Sequence, residues 1–177
     1  MNTVTSTEYD SPIGPILLTF VNDALVRLDV AHDGIDLARA EIAQRLGVLP
    51  EPDPDGAVDL REQLDEYFDG ARRHFEVPLD WRLVQGFTRT ALQATIDIPY
   101  GEMASYGEVA ILAGAPGAAR AVGTACAKSP FSIVVPVHRV VRADGSIGEY
   151  GGHPEVKEYL LSLENDVVLG EGLRGTG

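Results

Sequence analysis

Residues 105–128 read SYGEVAILAGAPGAARAVGTACAK, and this stretch decides the fold of the second half of the chain. Ser105 has the side chain of a helix N-cap, and Glu108 stands at the third position after it, the capping-box pattern. Val109, Ile111 and Leu112 carry that helix forward, and Gly114 ends it. Pro116-Gly117 makes a tight turn, and a second helix runs from Ala118 to about Lys128. Two helices joined by a short glycine-bearing turn predict a helix-turn-helix unit. At about 100° per residue, Ala118, Ala121, Val122 and Ala125 share one face of the second helix. Arg120, Gly123, Thr124, Ala127 and Lys128 share the other. Solvent gives no reason for Gly123, since a helical glycine costs about 1 kcal/mol relative to alanine. A backbone that must approach another molecule closely does give one.

Working outward, Phe87–Ile98 predicts a helix ended by Pro99, followed by a turn at Tyr100-Gly101-Glu102. After residue 128 comes the apolar run Phe131–Val135, then Pro136 to Val141, a turn at Arg142–Ser146 and Gly148–Gly152. A last helix is expected from Pro154 to about Glu164, with Val156, Tyr159, Leu160 and Leu163 on its apolar face. The first half has another pattern. Ile16–Val21 and Ala24–Val30 are apolar and β-branched, and Asn22-Asp23 between them predicts a hairpin. Ser11–Pro15 reads as a turn. Ile35–Leu46 has helical spacing closed by Gly47. Leu49–Gly56 is a proline-rich loop, Asp59 is expected to cap a helix bearing Leu60, Leu64, Tyr67 and Phe68, and His74–Leu79 is expected to return as a strand. The expected class is α/β of the α+β kind. A small N-terminal α+β lobe at residues 1–81 precedes a helix-rich C-terminal domain at 82–165 with a winged-helix-like helix-turn-helix. Residues 166–177 form a tail.

Composition sets the limits. The 177 residues are 45% apolar, enough to bury a core and too many for a disordered acidic chain. No apolar run approaches the ~20 residues of a membrane span. Met1–Ser11 is polar and is not a signal peptide. One cysteine, Cys126, excludes an internal disulfide and a multi-cysteine zinc site. These features suggest a cytoplasmic protein. The formal charge of -13 argues against nucleic acid, because a duplex repels a polyanion. That charge is uneven: residues 1–80 carry 6 Lys/Arg against 17 Asp/Glu. Residues 115–142 contain Arg120, Lys128, Arg139 and Arg142 and no acid.

Five motifs carry a resemblance. They are Ile98–Glu102, Ser105–Ala110, Ala118–Gly123, Val135-Pro136-Val137-His138-Arg139-Val140-Val141, and Tyr150-Gly151-Gly152. In that order and spacing they resemble the O6-alkylguanine-DNA alkyltransferase family over residues 87–164. Asp10–Gly14 is similar more loosely to the family's N-terminal domain. The resemblance implies duplex DNA containing alkylated guanine as partner, bound by the minor groove through the helix-turn-helix. It also implies that the damaged base is flipped out of the stack. It implies Tyr106, Arg120, Ala121, Gly123, Thr124 and Lys128 as DNA-binding residues, with Arg120 entering the duplex and Tyr106 touching the phosphate. It implies a base pocket of Cys126, Val137, Val140, Tyr150 and Gly151. His138 and Glu164 correspond to the relay that lowers a thiol's pKa, and Ser129 to a hinge asparagine. No cofactor and no metal are implied here. The family sometimes carries zinc in its first lobe, but His32 and His74 lie apart without ligand spacing. A monomer that acts with other repair proteins, at the nucleoid when bound, completes the expectation.

The family accepts the alkyl group on a cysteine within Pro-Cys-His-Arg. Here Val137 stands at that position, and a hydrocarbon side chain has no lone pair to accept anything. At the active site the chain is similar to alkyltransferase-like proteins, which bind alkylated bases without repairing them. Beside a decayed paralogue with neither binding nor transfer, three readings stay open. The chain is a non-catalytic damage sensor, an active transferase through Cys126, or a damage-independent DNA-binding module. Cys126 lies about 80° from the core face of its helix. It reads either as a substitute nucleophile or as a small half-buried hydrophobe. Without a thiol beside them, His138 reads as a structural histidine and Glu164 as a residue that caps or solvates its helix end.

Overall fold

The computed structural model describes residues 1–174. The chain divides into two units. Unit 1 holds Met1–Val84 and Pro130–Ser132; unit 2 holds Gln85–Ser129 and the chain from Ile133 onward.

Unit 1 is built on a four-stranded sheet. Strand β1 (Val4–Ser11), β2 (Gly14–Val21), β3 (Ala24–Val30) and the short β4 (Glu51–Pro52) lie in the order β3-β2-β1-β4. The β2–β3 turn is the one Asn22-Asp23 predicts. Both residues have positive φ, 48° and 68°, as a two-residue hairpin turn of type I′ requires. Strand β2 is the apolar centre, with Ile16, Leu17, Leu18 and Val21 buried. Strand β1 lies in the segment that reads as merely polar. Thr7 and Tyr9 are buried and alternate with the exposed Glu8 and Asp10, so the alternation is written in hydroxyls, and Ser6 is buried on the opposite face. Thr7 satisfies its hydroxyl by donating to the Asp53 carbonyl, and Tyr9 donates to Asp65 at 2.6 Å.

Helix α1 (Ile35–Leu46) ends at Gly47 in the left-handed conformation and packs Ala38 and Ile42 against Leu17 and Ala31. Helix α2 (Val58–Phe68) buries Leu60, Leu64 and Tyr67. Its N-cap is Ala57, and Asp59 sits in the first turn without a side-chain cap bond. There it favours the positive end of the helix dipole instead. Residues 74–79 make no strand. They follow β3 through one bridge, Leu25–Leu79, because Pro78 has no amide hydrogen to donate to a ladder. The Gln63 amide holds this segment by bonding both the amide and the carbonyl of Glu76. Phe131 completes the unit, bridging to Leu28 with its ring edge-on to Trp81.

Unit 2 is helical. It contains α3 (Gly86–Ile96), β5 (Ala104–Ser105), α4 (Tyr106–Leu112), α5 (Ala119–Ala127), β6 (Val140–Val141) and α6 (Pro154–Arg174). Ser105 caps α4 by accepting from the Glu108 amide at 3.1 Å. Helices α4 and α5 form the helix-turn-helix around Val109, Ala110, Val122 and Ala125, and α3 closes the core with Ala91 and Ala94. Strands β5 and β6 pair in parallel, Ala104 with Val140 and Ser105 with Val141. Helix α6 runs to Arg174, past the expected end at Glu164, so residues 166–174 of the expected tail are helical. Nothing in Asn165–Leu169 breaks a helix, and Val168 packs over Gly101. No helix among the described residues is long and apolar enough to cross a membrane.

Gly101 is required twice over. Its φ is +79°, and a Cβ there would stand 2.5 Å from a methyl of Val168. Gly101→Ala is therefore expected to destabilise unit 2 by about 1–2 kcal/mol. A denaturant midpoint unchanged from the parent protein contradicts this.

Candidate nucleic-acid interface and buried relay

Helix α5 presents Arg120, Ala121, Thr124, Ala127 and Lys128 to solvent. Ala121 was expected on the core face with Ala118, Val122 and Ala125, yet it is exposed; Val122 and Ala125 bury the helix. Residues this small leave the core face narrow, and the one-residue shift from Val122 decides the matter. Gly123 is half-buried, and a Cβ on it would lie 3.8 Å from the Tyr106 ring. That is an ordinary van der Waals distance, so packing against Tyr106 does not by itself demand a glycine. Of the four cations in residues 115–142, Arg120, Lys128 and Arg142 are exposed. Arg139 is buried and does not belong to the surface charge.

Tyr106 is the meeting point of several elements. Gly123 of α5 lies against its ring, and Gly148, at φ +80°, approaches its hydroxyl so closely that a Cβ would stand 3.2 Å away. The ammonium of Lys157, from α6, lies 5.8 Å from its ring centroid. Burial raises the Tyr106 pKa; Cys126 and Glu149 push the same way, and Arg142 pulls it down. Cys126 is half-buried and packs against the core of unit 2. Burial pushes its thiol up to about 11 against the opposing pull of Lys157, so it is a protonated thiol at neutral pH. Tyr150 is partly buried, while Gly151 and Gly152 are exposed at φ 56° and 78°. Ser129 is partly buried, and its amide follows α5 to the Cys126 carbonyl.

The segment after α5 turns inward. Ile133 is buried at φ +73°, where a β-branched residue is strained by about 1–3 kcal/mol. Val135 to Val141 are then all buried, with a 3-10 turn over Val137–Arg139. His138 Nε2 lies 2.6 Å from Glu164 Oε2, and both side chains are inaccessible to solvent. Arg139 donates from Nε to Glu164 Oε1 at 2.7 Å, from Nη2 to Oε2 at 3.2 Å, and from Nη1 to the Ile98 carbonyl. Glu164 is thus the shared acceptor of a histidine and an arginine, not a solvated helix end. Burial alone would raise its pKa. The bonds from His138 and Arg139 outweigh that and hold it down to about 2. Burial holds the His138 imidazole below its usual range, against the pull of Glu164. A neutral imidazole facing a carboxylate carries its hydrogen on Nε2 and donates it to Glu164. Nδ1 is then a buried lone pair, and it has no hydrogen-bond partner. Val137, the residue before, is buried and offers it none.

Lys157 is the residue that pattern reading passes over. It stands among the helical residues of Pro154–Glu164 as an ordinary solubilising lysine, yet it is 1% exposed. It stands three residues before Leu160 and seven before Glu164, the spacing of one helix face, and that was the available signal. Among the described residues no cluster of three or more metal-ligating side chains occurs.

A sheet lobe and a helix-turn-helix unit, with a buried histidine–glutamate–arginine cluster inside the helical unit, define the class of protein. Residues 4–81 match the 6-O-methylguanine DNA methyltransferase, ribonuclease-like domain, and residues 86–166 match the 6-O-methylguanine DNA methyltransferase, DNA binding domain. The chain belongs to the 6-O-methylguanine DNA methyltransferase family. It is 42% identical over 161 residues to the methylated-DNA–protein-cysteine methyltransferase of Mycobacterium leprae, covering 90% of this chain and 92% of that one. To the Homo sapiens protein of the same name it is 36% identical, covering 96% and 84%. The crystal structure of Mycobacterium tuberculosis O6-methylguanine methyltransferase superposes with a TM-score of 0.82 at 39% identity, covering 93% of this chain and 94% of that one. A structure of the Mycobacterium tuberculosis protein in complex with DNA superposes at 0.81 and 38% identity, covering 92% and 94%.

Proposed function

We propose that this protein binds duplex DNA through α5, flips O6-alkylguanine out of the stack, and recognises it without accepting the alkyl group. The observation that carries the reading is Val137. It occupies the position of the family's acceptor cysteine, directly before an intact His138–Glu164–Arg139 relay. The DNA complex of the Mycobacterium tuberculosis relative and the matching DNA-binding domain support the choice of partner. Arg120 enters the duplex where the base leaves it, and Ala121, Gly123, Thr124 and Lys128 line the groove. Tyr106 touches the phosphate of the flipped nucleotide, and Cys126, Val137, Val140, Tyr150 and Gly151 surround the base, with Ser129 at the hinge. The small side chains of α5 let the backbone approach, and the exposed Arg120, Lys128 and Arg142 supply local positive charge. The overall charge of -13 opposes association, so affinity for undamaged DNA is expected to be weak, and with three exposed cations in this stretch its fall with salt is expected to be shallow.

A second reading, transfer to Cys126, is favoured by the activity for which the relatives are named. Against it, a thiol with its pKa near 11 contains little nucleophilic thiolate at neutral pH. One experiment separates the two: titrate duplexes with and without O6-methylguanine, then record the intact mass of the protein. The sensor gives preferential binding at unchanged mass. Equal affinity for both duplexes overturns it, and a methyl group mapped to Cys126 establishes the second reading. Arg120→Ala is expected to lose about tenfold in lesion affinity, roughly 1.4 kcal/mol, together with the signal of a fluorescent flipped base.

A further inference from the structure

We propose that Arg142 binds one phosphodiester of the DNA backbone together with the Tyr106 hydroxyl, and that Glu149 sets an opposing charge beside it. This deepens the DNA-binding reading above and rests on it. The two donors converge at Gly148. A Cβ built there would lie 3.2 Å from the Tyr106 hydroxyl and 3.7 Å from both Cγ and Nε of Arg142. Gly148 has φ +80°, so the residue that leaves both groups uncovered also needs the left-handed backbone that glycine supplies. Strand pairing brings the donors together. In the parallel β5–β6 pair Ser105 stands opposite Val141, and Tyr106 and Arg142 are the next residue on each chain. The turn below Arg142 is fixed by its amide on the Ser146 carbonyl at 3.0 Å and by the Gly145 amide on its own carbonyl at 2.9 Å.

The protein itself uses neither donor. Among the described residues the exposed Arg142 guanidinium makes no ion pair, and the Tyr106 hydroxyl makes no hydrogen bond. Asp144, two residues on, is engaged by Ser146, whose amide and hydroxyl donate to it at 2.9 and 2.7 Å. In a chain with 27 acidic against 14 basic side chains, an arginine without a carboxylate is open to an anion from outside. The charges register at the phenol: Arg142 pulls the Tyr106 pKa down and Glu149 pushes it up, so both lie within electrostatic reach of that oxygen. Burial keeps the phenol above its ordinary value, so it is a donor at neutral pH. A guanidinium fork beside an O–H suits the oxygens of a phosphate, and such charge-assisted bonds are about twice as strong as neutral ones. Arg120 and Lys128 are also exposed without a carboxylate partner among the described residues, which suits a repeating anion better than a single small one. The exposed Glu149 repels the same phosphate.

The test is a double-mutant cycle on the parent protein, Arg142→Gln, Tyr106→Phe and the double variant, with Glu149→Gln beside it. Affinity for a plain and an O6-methylguanine duplex is measured from about 50 to 200 mM salt, and a thermal melt checks each variant. Arg142→Gln is expected to bind both duplexes about fivefold more weakly, with a slope of log affinity against log salt shallower by about 0.9. Tyr106→Phe is expected to lose about threefold at an unchanged slope, because it removes a donor and no charge. The double variant is expected to lose little more than Arg142→Gln alone, because both groups hold one phosphate. Glu149→Gln is expected to bind about threefold more tightly. An unchanged salt slope in a folded Arg142→Gln overturns the proposal, as do losses that multiply in the double variant. A Glu149→Gln protein no tighter than the parent overturns the opposing role. A parent that binds both duplexes alike overturns the reading of the base site, and the slope and the cycle on the plain duplex still decide the phosphate contact. A parent that binds neither overturns the DNA-binding reading and this proposal together.

Discussion

Val137→Cys is expected to convert the protein into a stoichiometric methyl acceptor. Incubated with an O6-methylguanine duplex, the variant gains one methyl group per chain, mapped to residue 137, while the parent gains none there. The chemistry needs little else. His138 Nδ1 is a buried lone pair without a partner, and the residue before it is the one replaced. A thiol placed there gives up its proton toward that nitrogen. The sulfur then forms a bond to the methyl carbon as the carbon–O6 bond breaks, and a proton restores neutral guanine. Glu164 stabilises the imidazolium through the 2.6 Å contact to Nε2. Cysteine is close in volume to valine, so the substitution is nearly free of packing cost. The size of the effect, from no transfer to complete transfer, makes it the most decisive measurement for the role of residue 137. A folded Val137→Cys protein that binds the lesion and stays unmethylated would falsify that role.

The second large effect is on stability. Glu164→Gln leaves the Arg139 guanidinium buried without a counter-charge, and His138 loses its ionic acceptor. Breaking one side of a buried pair costs about 3–5 kcal/mol, and the amide recovers part of this, so about 3 kcal/mol is expected. For a chain of 177 residues melting as one that corresponds to a fall of roughly 10 °C in melting temperature. Combining Glu164→Gln with Arg139→Met removes the orphaned charge and is expected to regain part of the loss. The same group predicts a pH dependence. Its folded pKa, about 2, lies below the ordinary value of 4.5, so its contribution is complete above pH 4.5 and is lost as pH falls toward 2. In the Glu164→Gln variant the acid limb of the stability curve flattens. An acid limb identical to the parent's contradicts the assignment.

Residues with local instructions were legible in the chain. The Asn22-Asp23 hairpin turn, α1 closed by Gly47, and α4 capped by Ser105 stand where their turn, stop and cap chemistry puts them. Where instructions were not local, reading by pattern failed for physical reasons. Strand β1 hides its inward face in Thr7 and Tyr9, whose hydroxyls are acceptable there because the Asp53 carbonyl and the Asp65 carboxylate accept from them in the fold. The strand expected at residues 74–79 had the apolar content but is interrupted at Pro78, and Asp59 stands two positions after the actual cap, Ala57. Arg139 counted toward a basic surface and lies inside, because charge alone does not say which cation has a buried carboxylate waiting.

The sequence by itself determined the two-lobe order, the helix-turn-helix, the family, and the absence of a thiol at residue 137. Each of these is local or linear: a cap, a period, an ordered set of motifs, one side chain. Only the tertiary structure decided that Glu164 serves His138 and Arg139 together, that Nδ1 of His138 is left without a partner, and that Lys157 lies buried between Val140 and Tyr106. Those facts join residues 17 to 51 positions apart, and their energies depend on desolvation, which no single position in a chain encodes.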